Sequence, residues 1–184
     1  MSRNEVKGVW FVTARDYVAE RHGQARLDAM VQRMGPQMGP TLADPAVSAW
    51  YPEAHLQAML RALDAEIAGG DPDRFVDEIA GCSEQGMGRF FRSLARLASP
   101  GFVLRQSPTT WKMLRRGPGT MQAQRMEGGT LIRYREFPYF HDPLYRLMAV
   151  GTVRSLVEVS TGTRVTVEVT HWAASDLDLT VSHG

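Results

Sequence analysis

Residues 135–145, REFPYFHDPLY, form the densest group of side chains in the chain that could do chemistry or hold a ligand. His141 and Tyr145 supply polar atoms beside three further aromatic rings, a composition that suits the rim of a pocket. The segment is also typical of a corner between a strand and a helix, because Asp142 before Pro143 is an N-cap followed by proline at the first helical position. We favour the corner, with Tyr139 and His141 at the junction, and the pocket rim is the alternative.

The remaining titratable side chains show no spacing that is typical of a catalytic or metal site. No two histidines have the i, i+4 spacing of a helical metal site, and no HExxH motif is present. The sequence also lacks Gly-x-Ser-x-Gly, a phosphate-binding glycine loop ending in Lys-Ser/Thr, and Gly-x-Gly-x-x-Gly. We therefore predict a protein that is not an enzyme and that carries no cofactor and no metal.

Two single residues have a functional alternative beside a structural one. Cys82 is the only cysteine, which rules out a disulfide within the chain and a cysteine-based zinc site. Near a helix N-terminus its thiol would be reactive, but we favour a packing role because no catalytic partner accompanies it. His55 is interpreted as a half-buried histidine at a helix start, with a ligand contact as the alternative.

Two aromatic groups are candidates for the wall of a pocket. Trp50 and Tyr51 precede Pro52 and a long predicted helix, so they either staple a loop to the core or form one wall of an apolar pocket. Trp111 lies on a later helix and either fills a cavity or lines one. Packing is the favoured interpretation for both groups.

Composition and charge indicate a soluble globular protein. The chain has 184 residues, of which 43% are hydrophobic and 22% charged, and its formal net charge is +1. Such a charge gives no electrostatic basis for binding nucleic acid. No apolar run approaches the roughly 18–20 residues that cross a bilayer, and the first ten residues lack the apolar core of a signal peptide. We expect a cytoplasmic protein that binds neither nucleic acid nor membrane.

Helix signals dominate residues 1–117. After Pro52, apolar residues recur at i, i+3, i+4, i+7 and i+11 and predict a helix that ends near Gly69-Gly70. The segment PDRFVDEIAG predicts a second helix that stops at Gly81, and a third is predicted from Ser83 onwards. Further helices are expected at about 8–21, 25–34 and 108–116, although the first is ambiguous between helix and strand. Helix starts are indicated by three cap-and-proline pairs: Asp71-Pro72, Ser99-Pro100 and Ser107-Pro108.

The pattern changes to β-β-α-β-β over residues 118–184. TMQAQRM and TLIRYREF alternate with a period of two and predict a hairpin through Glu127-Gly128-Gly129. A helix then runs from Asp142-Pro143 to about Val159. RVTVEVTHW and DLDLTVS predict a second hairpin. Because this unit has too few apolar residues to cover both faces of its sheet, we expect it to share a core with the helical part as one domain, 1–184.

Several segments resemble DUF2378, a family of uncharacterised bacterial proteins that is expanded in myxobacteria. They are VKGVWF at the start, SAWYPEAHLQAMLRALDAEIAGGD in the middle, SPGFVLRQSPTTWKMLRRGPG before the sheet, and the hairpin ending near VTHW. The likeness spans most of the chain. It implies no defined activity, since these motifs are mainly structural in character.

The organisation also resembles the heme-nitric-oxide-binding (H-NOX) fold, in which helices and a sheet with an inserted helix clamp a ligand between them. In that family a histidine on the helix before the sheet holds the heme iron, and a Tyr-x-Ser-x-Arg motif holds the propionates. The corresponding helix here, SPTTWKMLRR, has no histidine, and no tyrosine begins that motif. The resemblance therefore implies the fold without heme binding in the family's manner.

Together these observations predict an α+β protein in which an N-terminal helical part packs on a C-terminal ββαββ antiparallel sheet unit, as in the H-NOX fold. The predicted function is a non-enzymatic signalling or sensory module with a pocket for a small apolar ligand between helices and sheet, acting through a protein partner. The alternative is a protein-interaction or scaffolding domain whose seam is filled. The candidate pocket residues are Trp50, Tyr51, Trp111, Tyr139, His141 and Tyr145.

Overall fold

The computed structural model describes residues 4–87 and 100–182, which form an α+β fold. Its α-helices are α1 Val9–His22, α2 Gln24–Ala43, α3 Glu53–Leu63, α4 Pro72–Gly86, α5 Pro100–Leu114 and α6 Pro143–Thr161. A π-helical turn, Asp64–Ala68, extends α3, and a 3-10 turn, Pro138–His141, precedes α6. The strands are β1 Glu5–Lys7, β2 Trp50–Pro52, β3 Arg115–Arg116, β4 Thr120–Met126, β5 Gly129–Arg135, β6 Thr166–Trp172 and β7 Leu177–Ser182.

The larger sheet confirms the predicted β-β-α-β-β unit. Its four antiparallel strands have the order β4-β5-β7-β6, and α6 connects β5 to β6. In the register, Ile132 of β5 lies between Ala123 of β4 and Leu179 of β7. Because side chains alternate across a strand, this register directs Ile132 and Leu179 to the same face, and both are fully buried there.

A second sheet, with the order β2-β1-β3, was not predicted. It pairs Val6 with Tyr51 and with Arg115, so it joins the start of the chain to the residues before α3 and after α5. Its strands have only two or three residues, which is too short to show a period-two pattern. The sheet places Glu53, at the beginning of α3, next to Arg115, the first residue of β3.

The predicted apolar face of the helix after Pro52 is confirmed, since all five of its residues are buried: Leu56, Met59, Leu60, Leu63 and Ile67. The helix ends at Gly69, whose φ of 71° is left-handed and therefore suits glycine. Two predicted N-caps are also confirmed. The Asp71 carboxylate accepts from the backbone N–H of Asp73 and Arg74, and the Asp142 carboxylate accepts from that of Leu144.

Two predicted helix boundaries are wrong. The helix α4 does not stop at Gly81 but continues to Gly86. Gly81 serves close packing instead, because a Cβ there would lie 2.5 Å from the Tyr17 hydroxyl on α1. Likewise Ser107-Pro108 does not begin a helix, since both residues lie inside α5, which starts at Pro100 and ends at Leu114.

Other expectations need smaller corrections. Residues 9–22 are helical, and α2 extends well beyond the predicted 25–34 through a kink at Gly35. Residues 83–86 belong to α4, while most of the predicted third helix and Ser99 lie outside the described residues. The main core lies where α1, α3, α4 and α6 meet one another and the inner face of the larger sheet. Among the described residues no helix is long and apolar enough to cross a membrane.

Candidate functional site

A buried ion pair joins the helical part to the small sheet. Glu53 is the first residue of α3 and Arg115 the first of β3, and they are 1% and 8% exposed. Arg115 Nη1 donates to Glu53 Oε1. Since an unpaired charge at this depth would be very unfavourable, each side chain depends on the other.

Aromatic rings surround this ion pair. The Arg115 guanidinium lies 4.6 Å from the centre of the Trp111 ring and 5.0 Å from that of Phe137. The Tyr145 hydroxyl lies 3.1 Å from both Glu53 Oε1 and the Glu53 carbonyl oxygen, and these two oxygens share its hydrogen bond. Burial, together with the charge of Glu53, raises the pKa of Tyr145, so its hydroxyl stays protonated and remains a donor.

The aromatic cluster extends from this point along the seam between helices and sheet. It consists of six rings with centroids between 5.1 and 5.8 Å from their neighbours: Trp111, Tyr134, Phe137, Tyr139, Phe140 and Tyr145. Most pairs are edge-to-face or tilted, which the quadrupoles of the rings favour. The cluster therefore fills this part of the seam with contacts that are specific in geometry.

Beside the aromatic cluster the helices form an apolar pocket of about 310 Å³ that is partly open to solvent, which we call the main chamber. Residues of α1, α3, α4, α5 and α6 line it, among them Trp10, Ala14, Met59, Ile79, Cys82, Met148 and Thr152. Its described lining includes no charged side chain, and its polar groups are a thiol and a few hydroxyls, such as those of Ser83 and Thr152, which lie 3.4 Å apart. Such a lining favours an apolar occupant with little polar surface.

A smaller second chamber, of about 70 Å³, lies between the main chamber and the aromatic cluster. Trp10, Leu114 and Met148 line both chambers, so the two are adjacent. Ser107 and Arg115 line the second chamber alone. Like its larger neighbour, the second chamber nevertheless has an almost wholly apolar accessible wall.

The structure brings together three of the six predicted pocket residues. Trp111, Tyr139 and Tyr145 belong to the aromatic cluster, and Trp111 also lines the second chamber. The ring of Tyr139 stacks on His141, which is exposed and whose Nδ1 donates to the Pro138 carbonyl oxygen at 2.6 Å. Of the six predicted residues, Trp111 alone lines one of the two chambers among the described residues.

The other two predicted pocket residues lie on β2, away from both chambers. Trp50 is held between two cations, with Lys7 Nζ 4.5 Å and the Arg116 guanidinium 4.0 Å from its ring. The Tyr51 ring packs edge-on against Phe11 at 5.2 Å. Trp50 thus packs against the other two strands of the small sheet, and Tyr51 joins that sheet to α1.

The two single-residue candidates have ordinary structural surroundings. Cys82 is buried and lines the main chamber. Burial is the main cause that raises the pKa of its thiol, and the negative charge of the nearby Glu78 raises it further. Little thiolate forms under such conditions, so Cys82 is not an activated nucleophile. His55 shares a hydrogen bond of 2.8 Å with Thr41 Oγ1, and burial lowers the pKa of its ring.

Sequence reasoning missed Trp10, Glu53 and Arg115. Glu53 begins a helix, where an acidic residue is ordinary, and Arg115 is one of many arginines in the chain. Their contact joins positions 62 residues apart, which no local pattern can reveal. Trp10 lies in the run whose secondary structure was ambiguous.

Comparisons with solved structures identify the architecture. An H-NOX protein from S. oneidensis in the Fe(II)NO ligation state aligns with a TM-score of 0.69 and 13% identity, covering 96% of this chain and 98% of that one. The fold is that of H-NOX proteins. The unliganded Fe(II) H-NOX protein from K. algicida aligns with a TM-score of 0.65 and 11% identity, covering 96% and 95%. No protein-family model matches the sequence, and no curated protein is significantly similar to it.

Proteins with the H-NOX fold are named for a heme group, but the described residues that line the main chamber here do not fit heme in the manner of that family. No histidine is among the described residues that line the main chamber, and none of those residues carries a cation for the propionates. The sulfur atoms that line it belong to a cysteine whose raised pKa disfavours the thiolate and to methionines. Within the described ranges no group of three or more His, Cys, Asp or Glu side chains could hold a metal ion.

Proposed function

We propose that the chain is a non-enzymatic signalling or sensory module that binds a small apolar molecule in the main chamber and acts through a protein partner. The observation that carries this proposal is the main chamber itself, with its volume of about 310 Å³ and its uncharged lining. The H-NOX fold is consistent with a ligand site inside the domain, although no described residue that lines the main chamber lies on a strand. The single cysteine is consistent with a protein of the cytoplasm.

The energetics of packing support an occupant. Protein interiors are close-packed, and apolar side chains that face an unfilled space lack part of their contacts. Ligand sites typically have volumes of about 300–1,000 Å³, so the main chamber suits a small ligand of one or two rings or a short acyl chain. Ligand binding would recover contacts that the lining side chains otherwise lack.

Binding of the neutral fluorophore N-phenylnaphthylamine tests this proposal. We expect its fluorescence to rise on addition of the protein and to saturate at one molecule per chain. Ala14 lines the main chamber, so Ala14→Phe places a ring in the space and should weaken binding by at least about tenfold. Ala54 is exposed on α3, and Ala54→Phe is the matched control that should bind as the unsubstituted protein does.

Two results would contradict the proposal. The first is the absence of saturable binding by a protein that unfolds cooperatively and is therefore folded. The second is equal binding by Ala14→Phe and Ala54→Phe, which would show that the fluorophore binds outside the main chamber.

A heme sensor is not proposed, and hemin provides the corresponding test. Since the lining offers no histidine and no cation, we expect hemin to bind without a defined stoichiometry and without the Soret band of an iron ligated by an imidazole. A stable complex of one hemin per chain with that band would contradict this account.

We also infer that residues 1–117 and 118–184 fold as one domain. The contacts of Tyr145 on α6 with Glu53 on α3, and the position of Gly151 on α6 against Ile79 on α4, support this inference. Unfolding in urea should give coincident transitions by far-UV circular dichroism and by tryptophan fluorescence. Two separate transitions would contradict it.

A scaffolding domain without a ligand is the second candidate function. The aromatic cluster favours it, because its six rings already fill part of the seam. The exposed Trp172 and Val169 on β6, at the edge of the larger sheet, provide apolar surface for a partner. This candidate predicts no saturable binding of N-phenylnaphthylamine, whereas the sensory module requires it.

A further inference from the structure

Three buried hydrogen-bonding groups at the second chamber have no partner among the described residues. They are the indole Nε1–H of Trp10, the Ser107 hydroxyl and Nη2 of Arg115. Ser107 is 5% and Arg115 8% exposed, and all three residues line the chamber. A buried polar group without a partner costs about as much as a lost hydrogen bond, so three in one place call for an occupant.

The chemistry of these groups defines what that occupant must offer. The indole and the guanidinium can only donate, and the Ser107 hydroxyl can donate as well. The second chamber therefore presents several donors and lacks a dedicated acceptor among its described lining side chains. An oxygen atom with two lone pairs, such as a carbonyl oxygen, complements this arrangement.

The charge balance favours a neutral oxygen over a carboxylate. Arg115 is the only charged residue in the described lining of the second chamber, and its charge is already balanced by Glu53. A ligand carboxylate would place a second anion next to this neutral pair in a buried site, which is costly. A carbonyl oxygen accepts the same hydrogen bonds without that cost.

We propose that the ligand is a small, mainly apolar molecule with a neutral oxygen acceptor, whose body occupies the main chamber and whose oxygen is bound in the second chamber by Trp10, Ser107 and Arg115. This inference rests on the proposed function and adds the chemical class of the ligand. The adjacency of the chambers, which share Trp10 and Met148, allows one molecule to reach both.

Three compounds that differ at one group test the inference: methyl naphthyl ketone, ethylnaphthalene and naphthoate. Their affinities are measured by displacement of N-phenylnaphthylamine from the full chain. The ketone should bind roughly five- to tenfold more tightly than ethylnaphthalene, because it alone of these two supplies an acceptor. Naphthoate should bind more weakly than the ketone.

Single substitutions then identify the donors. Ser107→Ala and Trp10→Phe each remove one donor, and each should lower the ratio of ketone to ethylnaphthalene affinity by roughly three- to tenfold. The ratio cancels any change in the apolar packing that Trp10→Phe causes. Ser155→Ala is the matched control, because the Ser155 hydroxyl is also buried without a partner among the described residues but lines neither chamber.

The outcomes separate this inference from the proposed function. Equal affinities for the ketone and ethylnaphthalene would overturn the inference, since the second chamber would then hold water only, and would leave the apolar site intact. Naphthoate as the tightest of the three would also overturn it. If none of the three compounds and no N-phenylnaphthylamine binds, the proposed function fails and the inference fails with it.

Discussion

The two sides of the space between helices and sheet differ in how they are packed. On the sheet side the aromatic cluster leaves only the second chamber of about 70 Å³, and rings surround the buried ion pair between Glu53 and Arg115. On the helix side the main chamber leaves about 310 Å³ beside apolar side chains. The side chains of the sheet side therefore satisfy one another's packing, whereas those of the main chamber leave a space that suits a ligand.

The main chamber does not result from loose helix packing. Next to it a Cβ on Gly151 of α6 would lie 2.8 Å from both Ile79 Cγ2 and the Val76 carbonyl oxygen, so α6 and α4 are in close contact. Several lining positions instead carry small side chains, among them Ala14, Ser83 and Gly86. Small residues on closely packed helices produce a defined cavity, whereas loosely packed helices would collapse into it.

The largest difference between the two sides should appear in stability. Glu53→Gln keeps the size of the side chain but leaves Arg115 buried without a counter-charge, so we expect a loss of about 3–5 kcal/mol in the free energy of unfolding. Unfolding in urea, followed by circular dichroism, measures it.

Glu5→Gln is the matched control on the surface. Glu5 Oε2 lies 3.8 Å from Arg116 Nη1, and the Arg116 side chain is 58% exposed, so less than about 1 kcal/mol should be lost. Equal small losses in both variants would show that the ion pair does not hold the sheet side together.

Enlarging one alanine on each side should have opposite effects. Ala62 is fully buried and lines neither chamber, so Ala62→Leu overpacks the core and should cost about 1–3 kcal/mol. Ala14 lines the main chamber, and Ala14→Leu should raise stability by up to about 1 kcal/mol. Thermal and urea unfolding compare the two, and destabilisation by both substitutions would indicate that the main chamber has no room for a side chain.

The sequence predicted the elements that depend on local patterns. The apolar face of α3, the cap at Asp142 and both hairpins follow from spacing within about fifteen residues, and each is confirmed. The helix end predicted at Gly81 and the helix start predicted at Ser107-Pro108 were wrong, because glycine and proline also occur inside helices. Gly81 makes room for Tyr17, and Pro108 is tolerated inside α5.

The site was much less predictable than the fold. Trp111, one of the predicted pocket residues, lines the second chamber, and its role in binding stays a prediction. The contact of Glu53 with Arg115 depends on the small sheet, whose strands are too short to leave a sequence pattern. The main chamber depends on helix packing across five helices, which a single sequence does not encode in any local spacing.

A smaller effect concerns the chemistry of Cys82, which lines the main chamber. Because burial raises the pKa of this thiol, alkylation by iodoacetamide at pH 8 should be at least about tenfold slower in the folded chain than in urea. Mass spectrometry measures the rate, and the rate should rise with pH as thiolate forms. Equal rates in the folded and unfolded chains would mean that water and reagent reach Cys82 freely, which would contradict the apolar environment assigned to the main chamber.

The most direct test of the main chamber as an apolar binding space is a crystal of the protein pressurised with xenon. Xenon occupies apolar cavities without the need for a hydrogen bond. The account predicts a xenon peak in contact with Ala14, Met59 and Ile79, and its loss in crystals of Ala14→Phe. A well-ordered crystal without xenon at these residues, or with side chains collapsed into the space, would contradict it.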